Sequence, residues 1–443
     1  MQKIILISIA ALSVMATPAF AGGFALNTQS AEALGAATAG APATRATPSN
    51  AYFNPAAIVG IEGVEGSLSI VGAISDSDFQ NASGSLLGVA PVQGLSSGDS
   101  VIGDAAFPTG AIAIRLNDRV FVGLAAYAPF GFSSTYSDDS VIRYHGTKSK
   151  IVSGSLTPII GVALTDNWSI AGGLRIQYVD IGLDGVADAA GIAGASMIPG
   201  FIPGTDDVPF QLDANDLGLG YMFGVEGALT DNFRIGASYT SKITHDFSGK
   251  ARFDASASVA GQTLNAVAGL FQDTRFVADF TTPASIQLGA AADLTPSVTL
   301  LASASLTRWR SFREIAAVFD NLAQPPEVLT QNWRDAWSGA IGAEVDLSAS
   351  NTVRFGVMYD ESPVNGAFAS PRIPDANRIF AAAGYTRKIS HSAAFHLAAS
   401  YVFFDDRAIN QSATLPENLF RGSLQSTIGI DSVLVAAGVD IGF

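Results

Sequence analysis

From about residue 66 onward this chain alternates. After Asn167, the residues Trp168, Ile170, Leu174, Ile176 and Tyr178 fall on one side of an extended chain, and Ser169, Ala171, Gly173, Arg175 and Gln177 on the other. After Asn232, Phe233, Ile235, Ala237 and Tyr239 oppose Arg234, Gly236, Ser238 and Thr240. A period of two belongs to strands whose faces meet different surroundings. Apolar residues make up 48% of the 443 and charged residues 14%, where soluble domains carry roughly 25% charged. Yet the mature chain has no apolar run of about 18 residues, the length a spanning helix needs. High hydropathy without such a run predicts an all-β fold, a transmembrane antiparallel β-barrel whose alternation hides its oiliness.

The punctuation agrees. Leu116-Asn117-Asp118-Arg119, Thr165-Asp166-Asn167-Trp168 and Thr230-Asp231-Asn232-Phe233 separate alternating runs. Asn and Asp bond their own backbone there and tolerate the left-handed region. Thr295-Pro296-Ser297, Ser348-Ala349-Ser350-Asn351 and Ser390 to Ser392 fit further short turns. Between them lie long connections at roughly 76–108, 184–215, 255–275, 321–331, 361–377 and 405–426. Short periplasmic turns alternating with long outer loops is the outer-membrane pattern. The runs 66–75, 109–116, 119–136, 149–164, 168–183, 217–229, 233–254, 276–293, 298–319, 332–347, 352–361, 378–388, 393–405 and 427–443 number about fourteen, the even count such barrels require.

Met1 to Ala21 reads as a signal peptide, with Lys3, an apolar Ile4 to Met15 and the cleavage pattern Ala19-Phe20-Ala21. The absence of cysteine excludes a lipoprotein anchor and disulfide staples. A net charge of -15 argues against a nucleic-acid partner. The predicted organisation is residues 1–21 signal peptide, 22–58 plug and 59–443 barrel, placed in a Gram-negative outer membrane as a monomer. In the last run Val433, Val435, Ala437, Val439, Ile441 and Phe443 share one face. Such an end resembles the signal read by the barrel assembly machinery.

The segment Gly22 to Ile58 breaks the pattern. It is rich in small residues, carries only Glu32 and Arg45 as charges, and shows no strand alternation, so it reads as a piece folded inside the barrel. Gly23, Phe24 and Leu26, then Ser30, Leu34-Gly35, Ala39-Gly40 and Phe53-Asn54-Pro55-Ala56, resemble the hatch of the FadL-type outer-membrane transporters. Pro48 departs from that resemblance, near where the family often has an acidic residue. Trp309, Trp333-Arg334-Asp335-Ala336, Tyr359 to Val364 and Arg372-Ile373-Pro374-Asp375-Ala376-Asn377-Arg378 carry it through the C-terminal half. The resemblance implies passive uptake of long-chain fatty acids or other hydrophobic molecules, with Phe24 in or beside a lumenal pocket.

Three places are candidates for the chemistry. At Pro129-Phe130-Gly131-Phe132 a strand should bulge or bend, because proline cannot donate to the ladder. The alternatives are an inward kink opening a lateral portal, as the resemblance implies, or a turn beyond the membrane edge. Two long loops are unusually apolar. One holds Met197, Ile198, Phe201 and Ile202; the other holds Leu264, Val267, Leu270 and Phe271. They are expected either to form an external capture groove, as the resemblance implies, or to pack on each other. Arg175 is the best-placed cation for an acid head group, ahead of Arg234, Arg354 and Arg308, and pairing with a neighbouring carboxylate is the competing reading. No cofactor or metal is expected, and the four histidines and the absent G-x-S-x-G elbow give no support to an enzyme. A diffusion porin or an adhesive surface barrel are the alternatives to hydrophobe uptake.

Overall fold

The computed structural model describes residues 23–88 and 90–443. The predicted signal peptide and Gly22 lie outside the described residues. Fourteen wall strands follow one another among the described residues. They are β1 (Val64–Leu86), β2 (Ala105–Arg115), β3 (Val120–Tyr127, resumed as Gly131–Thr135), β4 (Lys148–Ala163) and β5 (Trp168–Asp188). Next come β6 (Asp207–Thr230), β7 (Phe233–Thr240, then Ile243–Phe253), β8 (Thr274–Thr282, then Ser285–Thr295) and β9 (Val298–Thr307, then Glu314–Phe319). The last are β10 (Ala336–Ser348), β11 (Asn351–Asp360), β12 (Arg378–Ser390), β13 (Ala393–Phe404, then Arg407–Gln411) and β14 (Ser423–Gly442). Each pairs antiparallel with the next, and β14 returns to β1 from Glu65↔Gly442 to Ser85↔Ser423. The ring closes, which satisfies the backbone where water is excluded.

Several expected runs are single strands in sequence and broken strands in space. Residues 233–254 divide at Ser241 and Lys242, 276–293 at Pro283 and Ala284, and 298–319 at a 3-10 turn over Trp309–Ser311. Pro283 has no N–H for the ladder, which gives one break its cause. Elsewhere strands outrun the expectation: β1 continues to Leu86 and β6 begins at Asp207. Their extra residues lie in what reads as loop; along 208–214 the alternation persists with its faces exchanged, Val208, Phe210 and Leu212 inward and Gln211 and Asp213 outward.

The two faces have opposite chemistry. Leu68, Ile70, Leu174, Leu288, Ile341 and Phe355 point outward and are exposed. In water each would forfeit roughly 1.5–3 kcal/mol of burial, so this belt belongs against lipid. Tyr178, Tyr221, Tyr239, Trp337, Tyr359 and Tyr401 rim its outer edge. Ten residues separate Trp168 from Tyr178 on β5, and tilted strands of about 3.3 Å per residue make that about 25 Å, the height of a membrane band.

Inside, residues 23–61 fill the ring. Ser30 caps the short helix α1 (Ala31–Gly35) by accepting the Ala33 N–H at 3.1 Å. Three 3-10 turns follow, each with proline in its first turn, where the missing N–H costs nothing. Asn54 accepts the Ala56 N–H, and its amide donates to the Pro42 carbonyl at 2.7 Å and the wall carbonyl of Val225 at 3.0 Å. The inner wall admits this backbone through glycine: a Cβ at Gly236 would strike the Pro42 carbonyl, and one at Gly356 the Ala36 carbonyl. Valine at 236 suits a strand and not the plug. The Gly236→Val barrel is expected to assemble with residues 23–61 cleaved by added protease while the wall resists; protection equal to wild type would contradict this packing.

Candidate functional site

The wall loses its continuity at β3. Its first half pairs with β2 from Gly110↔Ala126 to Arg115↔Phe121. Its second half pairs with β4 from Gly131↔Val152 to Thr135↔Lys148. Ala128, Pro129 and Phe130 stand between. On the β4 side Ser153 repairs the break, donating its N–H to the Phe130 carbonyl at 3.0 Å and accepting the Phe130 N–H on Oγ at 2.9 Å. On the β2 side the start of the plug does so. Leu26 donates its N–H to the Pro129 carbonyl at 2.8 Å, and Gly131 donates to the Phe24 carbonyl at 2.9 Å. The Gln29 amide reaches the Ala128 carbonyl at 2.7 Å, and Thr109 of β2 donates to the Gln29 carbonyl. Phe132 is buried above the break, in the second half of β3. A short length of plug is thus stitched into a seam that β2 and β3 leave open.

Phe24 sits at this seam with no exposed surface, inside a box of aromatic rings. Ring centroids lie 4.7 Å away at Trp309, 5.5 Å at Trp333, 5.6 Å at Phe280 and 5.7 Å at both Phe130 and Phe312. Edge-to-face and tilted pairs at such spacing each add about 0.5–1.5 kcal/mol beyond burial. Trp309 and Phe312 come from the break in β9, and Trp333 from the connection before β10. Behind them Arg378 joins Asp360 at 2.9 Å and Asp375 at 3.1 Å, all buried, and the Gly23 N–H lies against Asp375. Sequence reasoning picked out Trp309 and Trp333 as part of a resemblance, but missed Phe280 and Phe312 as partners of Phe24. The available signal was the Arg308-Trp309-Arg310-Ser311-Phe312 stretch, too irregular for a strand.

The lumen is divided by polarity. Above the plug a continuous apolar cluster runs from Phe24 to Phe79, Tyr136 and Ile430 among the outer loops. Below it lies a vestibule of about 570 Å³ lined by Glu32, Arg45, Arg234, Arg354, His396 and Asp440. There Arg354 bridges Glu32 of the plug at 3.0 Å and Glu344 of the wall at 2.7 Å. Arg234 pairs with Asp293 and Arg308 with Asp335, so these weaker head-group candidates follow the carboxylate-pairing reading. Arg175 does not. It is 3% exposed, donates from Nη1 to the Ser241 carbonyl at 3.2 Å, and leaves Nε without a partner. It lines a cavity of about 40 Å³ with Asn27, Tyr52, Tyr127, Phe130 and Thr240, room for a few waters.

The family described as outer membrane protein transport protein (OMPP1/FadL/TodX) matches residues 12–443. The chain belongs to this family. A long-chain fatty acid transport protein of Escherichia coli O6:H1 is 24% identical over 407 residues, covering 88% of this chain and 89% of its own. The crystal structure of a Pseudomonas aeruginosa FadL homologue superposes with a TM-score of 0.85 at 23% identity, covering 95% of this chain and 99% of that one. The Ralstonia pickettii toluene transporter TbuX does so at 0.64 and 18% identity, covering 96% and 99%. This FadL/TodX-family protein is therefore an outer-membrane transport barrel, and the family is one of transporters.

The outer loops of this FadL/TodX-family barrel divide their apolar residues. Helix α2 (Ala189–Ala195) packs on α3 (Val259–Ala268), burying Leu264 and Phe271, with Ile198, Phe201 and Leu270 half-buried beside them. Met197, Ile202 and Val267 stay exposed at 91%, 65% and 70%. The loops pack on each other and leave an apolar rim. Nearby, burial beside Arg421 and Arg372 pushes His145 down to about 3, so it is neutral. Truncating Phe24 to alanine should cost about 3–5 kcal/mol of local stability and admit water to the ring box. The Phe24→Ala protein is expected to show red-shifted Trp309 and Trp333 emission; an unchanged spectrum would place Phe24 elsewhere.

Proposed function

We propose that this transporter passes apolar molecules from the cell exterior into the outer membrane through the seam beside Pro129, Phe130 and Gly131. The cargo class is that named for its relatives, long-chain fatty acids or aromatic hydrocarbons such as toluene. The observation that carries this reading is that Phe24 and Leu26 close the seam while the Phe24 ring fills the aromatic box. Cargo that takes the place of the Phe24 ring removes the backbone bonds that Phe24 and Leu26 make to β3. The two events are one movement. The exposed Met197, Ile202 and Val267 collect cargo, and the apolar column leads it inward.

The charged vestibule supports a sideways exit. Each CH₂ carried into water costs about 0.8 kcal/mol, so a long acyl chain gains nothing below the plug and everything in lipid. Arg175, with Nε unused beside the seam, suits the carboxylate of an acid cargo; a hydrocarbon has no need of it. Phe443, exposed on the outward face at the end of β14, is proposed as the assembly signal. A steadily open porin is disfavoured because residues 23–61 occupy the lumen.

Two measurements test this. Deleting residues 22–56 should turn a nearly silent barrel into a conducting one in a planar bilayer; unchanged conductance would mean the segment is no plug. Replacing Pro129→Val, Phe130→Thr and Gly131→Val should straighten β3 and cut oleate uptake severalfold in cells, with the barrel still heat-modifiable on gels. Wild-type uptake by that triple variant would remove the seam from the route.

A further inference from the structure

The wall is interrupted a second time, on the other side of the Arg175 cavity. The register between β6 and β7 stops at Met222↔Thr240 and resumes at Asn215↔Ser248. One extra residue stands on the β7 side of this interval, the signature of a bulge. The interval is closed at one end by backbone, where Ser241 donates its N–H to the Tyr221 carbonyl at 2.9 Å and its Oγ accepts the Tyr221 N–H at 2.9 Å. At the other end the bond is between side chains, His245 Nδ1 to Asp216 Oδ2 at 3.1 Å. Between these points the filling is side chain rather than ladder. Ile243 and His245 lie over Gly218 and Gly220, so closely that a Cβ at 218 would strike the Ile243 methyl.

The two surfaces of this interval differ, apolar toward lipid and polar toward the lumen. On the lipid side Leu217 and Leu219 are exposed at 61% and 65%. On the inner side His245 Nε2 meets Gln177 Oε1 at 3.1 Å, and a polar-lined cavity shared by Pro129 and Phe130 reaches Thr240 and Pro283 beside the break in β7. Arg175 links the two, since it lines that cavity, holds the Ser241 carbonyl and leaves its buried Nε free. A ladder of backbone bonds opens only if several break together, whereas here Ile243 changes rotamer and His245 gives up its side-chain bonds to Asp216 and Gln177. From this we infer a second lateral passage through the β6–β7 wall, gated by Ile243 and His245, for the same apolar cargo. The inference rests on the uptake reading above and adds an exit that does not depend on the plug leaving β3.

The test uses the chain's lack of cysteine. Gly218→Cys with Ile243→Cys places two thiols across the interval within bridging reach, and the disulfide pins it shut. Oleate uptake is measured in cells for the oxidised and reduced forms, in the wild-type wall and in the wall carrying the straightened β3. The expected result is residual uptake in the straightened wall that oxidation abolishes and reductant restores. As a variant that needs no bridge, Ile243→Ala should raise uptake severalfold in the straightened wall. Uptake insensitive to oxidation and to Ile243→Ala, in a wild-type protein that does import oleate, overturns the second passage and leaves the first reading standing. A wild-type protein that imports no oleate or toluene overturns the uptake reading itself.

Discussion

Everything in this barrel turns on where backbone groups find partners in a setting without water. Thirteen neighbouring pairs and the β14–β1 closure supply most of them, and the plug supplies those at β3. The Leu26 to Pro129 and Gly131 to Phe24 bonds are ordinary in length and unusual in position. They make a stretch of plug behave as wall. An unpaired peptide group at membrane depth costs several kcal/mol, so these two bonds are costly to break without replacement. The same two bonds that seal the wall hold Phe24 in its aromatic box.

The plug is tied at more than one end. Its two charges both reach the barrel, Glu32 to Arg354 and Arg45 to the Asp166 carbonyl. Asn54 and the Phe53 carbonyl hold its last turns to β6 and β7. Residues 24–29 carry no charge and are held by backbone bonds, ring contacts and the Gln29 amide. Movement of the first few residues therefore leaves the anchored remainder in place, which is a mechanical reason for motion to begin at Phe24.

Much of this was readable from sequence because a membrane barrel writes its two faces in alternate positions. Trp168, Leu174 and Tyr178 opposite Arg175 and Gln177 fixed the sidedness of β5, and Asn-Asp turns fixed the hairpins. The plug was readable by contrast, as small residues without alternation. The breaks were not. Ser241-Lys242 has no proline or glycine, and residues 298–319 read as one run despite the irregular 308–312 stretch that holds the 3-10 turn at Trp309. Those departures come from tertiary demands, the packing of Trp309 and Phe312 around Phe24 and of Ile243 against Gly218, which local periodicity does not encode. Arg175 was legible as inward-facing; that its partner is a carbonyl rather than a carboxylate was not.

The vestibule under the plug has a consequence for the cell. On the proposed sideways route, the ion pairs of Arg354 with Glu344 and of His396 with Asp440 stay fastened below while cargo leaves through the wall above them. Nutrient acquisition is thereby uncoupled from leakiness. On that route, passage of cargo never requires the outside medium to be joined to the periplasm by a continuous thread of water.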